Sequence, residues 1–225
     1  MSKHLHIEIE KLKTRLLGIG VTVIDAIQKA LFALEARRGE IAAQVMEGDK
    51  EVDTAEVELE EECLKLLALY QPVAEDLRFI TAVMKINNDL ERMADEAVNI
   101  AEHASFLSHN KPLALPPQLT AMTAAAMRMV RESLDAFVKG DVMEARRICA
   151  EDDVVDGLNR EIIDSVWRMM QSDPQTVERA THLFSVSRHL ERIADHATNI
   201  AEDVVYMVEG KIIRHHSEGY TPRGE

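Results

Sequence analysis

Acidic residues recur in this sequence at a spacing that suits cation binding. Glu91 and Asp95 stand four apart, and Glu191 and Asp195 repeat them one hundred positions later. Asp49 and Asp53 are also four apart, as are Asp152 and Asp156. Residues four apart share one face of an α-helix, where like charges cost a few tenths of a kcal/mol. A bound cation would relieve that repulsion. Oxygen donors without cysteine suit Mg, Ca, Mn or Fe better than a structural zinc site. The same residues could equally form a solvated acidic face, with Asp49 serving only to cap a helix.

The carboxylates lie on text that is duplicated. Residues 90–102 read LERMADEAVNIAE and residues 190–202 read LERIADHATNIAE, identical at ten of thirteen positions. Upstream, GDKEVD (48–53) resembles EDDVVD (151–156). Such self-similarity marks a repeated structural unit. On a helical wheel of about 100° per residue, Leu90, Ala94, Ala97 and Ala101 fall on one side. Asn88, Glu91, Asp95, Asn99 and Glu102 fall opposite, as do Glu191, Asp195, Asn199 and Glu202 in the second copy. Asn99, Glu102, Asn199 and Glu202 are therefore candidate supporting ligands.

The elements that must position these residues follow from apolar spacing and from breakers. A first helix is expected over 6–38, with Ile9, Leu12, Leu16, Ile19, Val23, Ile27, Leu31 and Leu34 inward. Gly39 interrupts it, and residues 40–47 read as a short helical piece closed by Gly48. Asp49 then caps a second helix to Tyr70, Pro72 marks a turn, and a third helix covers 74–108. A proline-bearing linker at 111–117 separates residues 1–110 from a second unit at 118–212. There the expected helices are 117–138, then one opened by the capping-box pair Asp141 and Glu144, then one opened by Asp173-Pro174. Residues 213–225 read as a polar tail. The fold class is all-α: two tandem, pseudo-symmetric three-helix bundles, lying end to end or side by side.

The second and third helices form a hairpin about Pro72. Asp53 lies nineteen residues before that proline and Glu91 nineteen after it, while Asp49 and Asp95 are each twenty-three away. Both pairs should stand level on adjacent helices. In the second unit Asp152 and Asp156 oppose Glu191 and Asp195 to within about two residues, roughly 3 Å of rise. Each hairpin gathers four carboxylates if the two acidic faces meet, which a wheel does not show.

Composition narrows the function. The chain has 225 residues, 46% hydrophobic but only 4% aromatic, so Ala, Leu, Ile, Val and eleven Met must fill the core. The net charge of −14, from 40 acidic and 26 basic residues, repels nucleic acid and anionic lipid. Cys63 and Cys149 sit singly in helical patterns and read as reduced thiols. Residues 1–13 show no secretory signal pattern, and the apolar run 16–24 is too short to span a bilayer, so a cytoplasmic protein is expected. His189 and His196, seven apart, could support a metal site or meet a second subunit but read first as packed or surface groups, and Trp167, Met169 and Met170 as core or interface. There is no Walker loop, GxGxxG, GxSxG or HExxH, and no helix carries the Glu-x-x-His of a ferritin-like di-iron enzyme.

LERMAD (90–95), LERIAD (190–195), GDKEVD and the segment QPVAEDLR (71–78), in tandem arrangement, together resemble the PhoU family over essentially the whole chain. That resemblance implies two tandem three-helix bundles whose E(D)xxxD motifs bind clusters of iron or zinc. The motifs match Asp49/Asp53, Glu91/Asp95, Asp152/Asp156 and Glu191/Asp195. Manganese and magnesium remain open as alternatives. Where many relatives have glycine before the aspartate of LERxxD, this chain has Ala94 and Ala194, which keeps the carboxylates but narrows the gap beside the helix. The resemblance further implies a non-enzymatic negative regulator of the phosphate-starvation response. It would link the ATPase subunit of a phosphate ABC transporter to a sensor histidine kinase, form dimers or higher oligomers, and reach the membrane only through partners. A di-metal carboxylate enzyme and a metal-free helical adaptor are the rival readings.

Overall fold

The computed structural model describes residues 3–213. Six α-helices make up the chain: α1 (Lys3–Ala36), α2 (Gly39–Tyr70), α3 (Ala74–His109), α4 (Pro117–Lys139), α5 (Val142–Ser172) and α6 (Val177–Glu209). No strand occurs among the described residues. The first three helices pack on one another, and so do the last three, which gives the two tandem bundles. The two bundles lie side by side, with α3 running along α6 and α1 touching α4.

Each helix is held by its apolar stripe. On α1, Leu5, Ile9, Leu12, Leu16, Ile19, Val23, Ile27, Leu31 and Leu34 are all buried, stepping by three and four. By length and composition α1 could cross a membrane, but this apolar stripe is part of the protein core. Burial also explains why α3 and α6 differ from their neighbours. Six residues are buried on each of α2 and α5, but fifteen on α3 and thirteen on α6. The central helices bury two faces, one in their own bundle and one against each other.

The second helix departs from the expected pattern. It starts at Gly39 and runs unbroken through Gly48 to Tyr70. The chain turns two positions earlier, where Arg37 takes a positive φ of 55° and its guanidinium binds the carbonyl oxygens of Ser108 and Asn110. Gly48 therefore does not end a helical piece, and Asp49 caps nothing: it is a mid-helix residue. An interior glycine costs about 1 kcal/mol relative to alanine. Ala42 and Val45 before it and Val52 and Leu59 after it are buried along one stripe, and that burial outweighs the cost.

Other ends match their signals. Asp141 caps α5 by accepting from the Glu144 amide at 3.0 Å. Asp173 accepts from the Gln175 amide at 3.0 Å, but it opens a single 3-10 turn, Pro174–Thr176, and α6 starts only at Val177. Cys63 is buried, Cys149 is half-buried, and both are free thiols. Trp167 is exposed on α5 rather than in the core. The expected polar tail lies, from residue 214 on, outside the described residues.

Candidate metal centre: two acidic strips

The α2–α3 hairpin brings Asp49, Asp53, Glu91 and Asp95 into one electrostatic neighbourhood. Asp49 is half-buried, and its Oδ1 is fully shielded from solvent with no hydrogen-bond partner. Burial, then Asp53, then Asp95 across the hairpin raise its carboxyl above the usual range. Glu91 is raised in the same way, by burial first and then by Asp95, with Glu56 and Asp53 adding and Arg92 opposing. Arg92 is the local counter-charge, 3.4 Å from Glu91 and 3.6 Å from Asp95. Asp53 is exposed and Asp95 half-buried. Beside Asp49 a cleft of about 120 Å³ opens between α1, α2 and α3, lined by Val45, Gly48, Val52, Ala94 and Val98. A Cβ at Gly48 would meet nothing within 4 Å.

The α5–α6 hairpin repeats the arrangement. Burial, then Asp195, then Asp156 push the Asp152 carboxyl up to about 6, against a lowering contribution from the Thr198 hydroxyl. Asp195 is raised by burial, Glu191 and Asp156, and is opposed by His196 and Arg188. Glu191 is half-buried and paired with Arg188. Asp49 thus feels Asp95 across the first hairpin, and Asp152 feels Asp195 across the second.

The supporting residues separate. Asn99 is half-buried and Glu102 exposed on α3. Asn199 is engaged elsewhere, donating at 3.1 Å to Asp89 of the other repeat. Glu202 faces Cys149 of α5 and raises that thiol, after burial, to about 11.

The donor set fits a hard cation. It is all oxygen, it crowds negative charge that burial makes costly, and it holds a buried carboxylate oxygen with no donor. Among the described residues, no three His, Cys, Asp or Glu side chains converge at metal-ligand spacing. The strips are therefore open rows of donors on rigid helices rather than closed cages, and a cation would have to draw their side chains inward.

Spacing alone missed the residues between the repeats. Along α3 and α6, His189 Nδ1 meets Glu96 Oε2 at 2.5 Å, His196 Nδ1 meets Asp89 Oδ1 at 2.8 Å, and Lys85 meets Asp203 at 3.0 Å. Arg192 adds a 3.0 Å contact to Glu96. His103 and His182 meet Nδ1 to Nδ1 at 2.9 Å, and His103 stacks on His189. These partners advance on one helix as they recede on the other, so α3 and α6 are antiparallel. His189 and His196 are thus packed at the seam between α3 and α6.

A PhoU domain model matches the chain twice, over residues 16–104 and 119–204, one match for each bundle. The chain belongs to the PhoU family. It is 40% identical, over 92% of its length and 94% of the relative's, to a phosphate-specific transport system accessory protein PhoU homologue from Aquifex aeolicus. It is 33% identical, over 96% of its length and 90% of the relative's, to the accessory protein PhoU of Serratia marcescens. Among solved structures, PhoU from Pseudomonas aeruginosa superposes with a TM-score of 0.87 at 34% identity, covering 92% of this chain and 99% of that one. The phosphate transport system regulatory protein PhoU from Streptococcus pneumoniae gives the same TM-score at 29% identity, covering 92% and 98%.

Proposed function

We propose that this PhoU-family chain is a non-enzymatic regulator of phosphate uptake that holds the phosphate-starvation response off when phosphate is plentiful. The observation that carries this reading is the near full-length match to proteins named as accessory or regulatory components of phosphate transport. On this reading the chain works in the cytoplasm, bridges the transporter's ATPase subunit and a sensor histidine kinase, and meets the membrane only through them. It assembles as a dimer or higher oligomer. The mixed, strongly acidic surface suits protein partners better than nucleic acid.

Asp49, Asp53, Glu91 and Asp95 would hold one cation site, and Asp152, Asp156, Glu191 and Asp195 the other, with iron, zinc, manganese or magnesium as candidates. A bound cation would supply positive charge that ties α2 to α3, and α5 to α6. The protein's own part is to carry the carboxylates on rigid, adjacent helices. Arg92 and Arg188 compensate the charge when it is not otherwise met. The lack of a closed ligand cage favours one second reading, a metal-free adaptor whose acidic strips dock a basic partner. Such an adaptor would keep partner binding after chelation.

Deleting the gene tests the regulatory reading. Alkaline phosphatase should then be derepressed in high phosphate and repressed again by the wild-type copy. Normal repression in the deletion strain would contradict it. Complementation with the Asp95→Asn, Asp195→Asn double variant tests whether regulation depends on the strips.

A further inference from the structure

At the linker end of the α3–α6 seam, three imidazoles and a phenyl ring gather outside the acidic strips. His103 on α3 and His182 on α6 meet Nδ1 to Nδ1 at 2.9 Å, with their rings edge to face. Phe106 of α3 stacks on His182, with centroids 3.8 Å apart and planes 11° apart. His189 of α6, anchored by Glu96, stacks on His103 with centroids 5.4 Å apart. Each ring of the pair is therefore held in orientation by a ring from the other bundle. Both are only half-buried, so an ion from solvent can reach them.

Burial first, then His182 and His189, lowers the His103 imidazole to about 4. Burial also lowers His182, opposed by the Glu178 carboxylate. Both rings are neutral at pH 7, the form that binds metal. Between them they share one hydrogen bond, in which one nitrogen donates and the other accepts. The spacing also suits ligation. With metal–nitrogen bonds of about 2.05 Å, two ligands at a right angle stand about 2.9 Å apart, and tetrahedral ones about 3.3 Å. Right-angle ligation by nitrogen and oxygen is the geometry of Cu²⁺ and Ni²⁺. Glu178 is exposed, stands one turn before His182 on the same face of α6, and is the charge that acts on that ring.

The facing pair occurs once. One hundred residues away, the equivalent positions at the other end of the seam are Asp203 and Ala82. Asp203 is 1% exposed and pairs with Lys85 at 3.0 Å. Packing of the seam thus does not itself require two facing histidines.

We infer that His103 and His182, with Glu178 swung in as a third ligand and water completing the set, form a transition-metal site for Cu²⁺ or Ni²⁺ that pins the two bundles to each other. The site offers nitrogen and joins α3 to α6, whereas the strips offer only oxygen and lie within each hairpin. It does not rest on the strips.

The test is Cu²⁺ binding to the full chain, followed by electron paramagnetic resonance with spin-echo modulation, which registers imidazole nitrogen and is blind to carboxylate ligation. A His215→Gln, His216→Gln background removes an adjacent histidine pair that would bind the same probe. One Cu²⁺ per chain with the modulation of two imidazoles is expected. His103→Gln and His182→Gln should each weaken that ion at least tenfold and reduce the modulation to one imidazole, with helicity by circular dichroism unchanged. Glu178→Gln should weaken it while both imidazoles still register. Ni²⁺ should raise the melting temperature of the parent chain and leave that of the two histidine variants unmoved. Copper bound without imidazole modulation in the parent chain overturns the site, and so does wild-type affinity and modulation in both histidine variants.

Discussion

His189 Nδ1 lies 2.5 Å from Glu96 Oε2, and the pair is mirrored by His196 and Asp89 at 2.8 Å. Asp89 and His189 occupy the same repeat position, one hundred apart, and so do Glu96 and His196. The first repeat thus gives both carboxylates and the second both imidazoles. The two bundles are joined about a pseudo-twofold axis by charges that neither repeat could pair with an identical copy of itself.

Glu96 should be the costliest seam residue to remove. It is 3% exposed and meets both His189 and Arg192. Breaking a buried pair from one side costs about 3–5 kcal/mol. We expect Glu96→Ala to lose on the order of 3 kcal/mol in urea unfolding at pH 7, and far less in a His189→Ala background. Burial raises the Glu96 carboxyl, but the His189 hydrogen bond and Arg192 together bring it below its usual value. Its stabilisation is therefore present above the ordinary carboxylate range and is lost as pH falls through the lowered folded value. Wild type and Glu96→Gln should converge only in that acid range.

Asp152 should show the opposite sign. Its carboxyl titrates near 6 in the folded chain, against 3.8 for the free side chain. Ionising it costs stability as pH rises from about 4 to 6, and the whole cost is present above 6. Asp152→Asn should raise stability at pH 7–8 by on the order of 1 kcal/mol after solvent screening, and by nothing near pH 4. Melting curves across this range provide the check.

His103 destabilises the fold in acid. Burial, then His182 and His189, lowers its imidazole to about 4 from 6.5, so it stays neutral where the unfolded chain takes a proton. Stability is lost as pH falls from 6.5 toward 4. His103→Gln should flatten that part of the stability curve, and nuclear magnetic resonance titration should find one histidine still neutral at pH 5.

Gly140 ends α4 at a φ of 64°, and a Cβ added there would lie 3.6 Å from Val208 Cγ2 of α6. A side chain fits the space but not the backbone conformation. Gly140→Ala should cost about 1 kcal/mol in thermal unfolding, from left-handed strain alone.

The six helices were legible because periodicity and breakers report each helix face directly. Gly48 misled because a glycine signals a break only where the apolar stripe also stops, and here Val45 and Val52 carry it across. The seam was less legible because it depends on which helix meets which. A signal was nonetheless present. The near-identical LERMADEAVNIAE and LERIADHATNIAE differ at three positions, and two of them break the symmetry. Glu96/His196 sets a carboxylate on the first repeat against imidazoles on the second, and Val98/Thr198 adds the hydroxyl beside Asp152.

Anomalous scattering from crystals grown with Mn²⁺ tests the cation strips most directly. The account predicts density at both hairpins, bounded by Asp49, Asp53, Glu91 and Asp95 in the first and by Asp152, Asp156, Glu191 and Asp195 in the second. Crystals diffracting with saturating Mn²⁺ and showing no anomalous peak at either hairpin would contradict it.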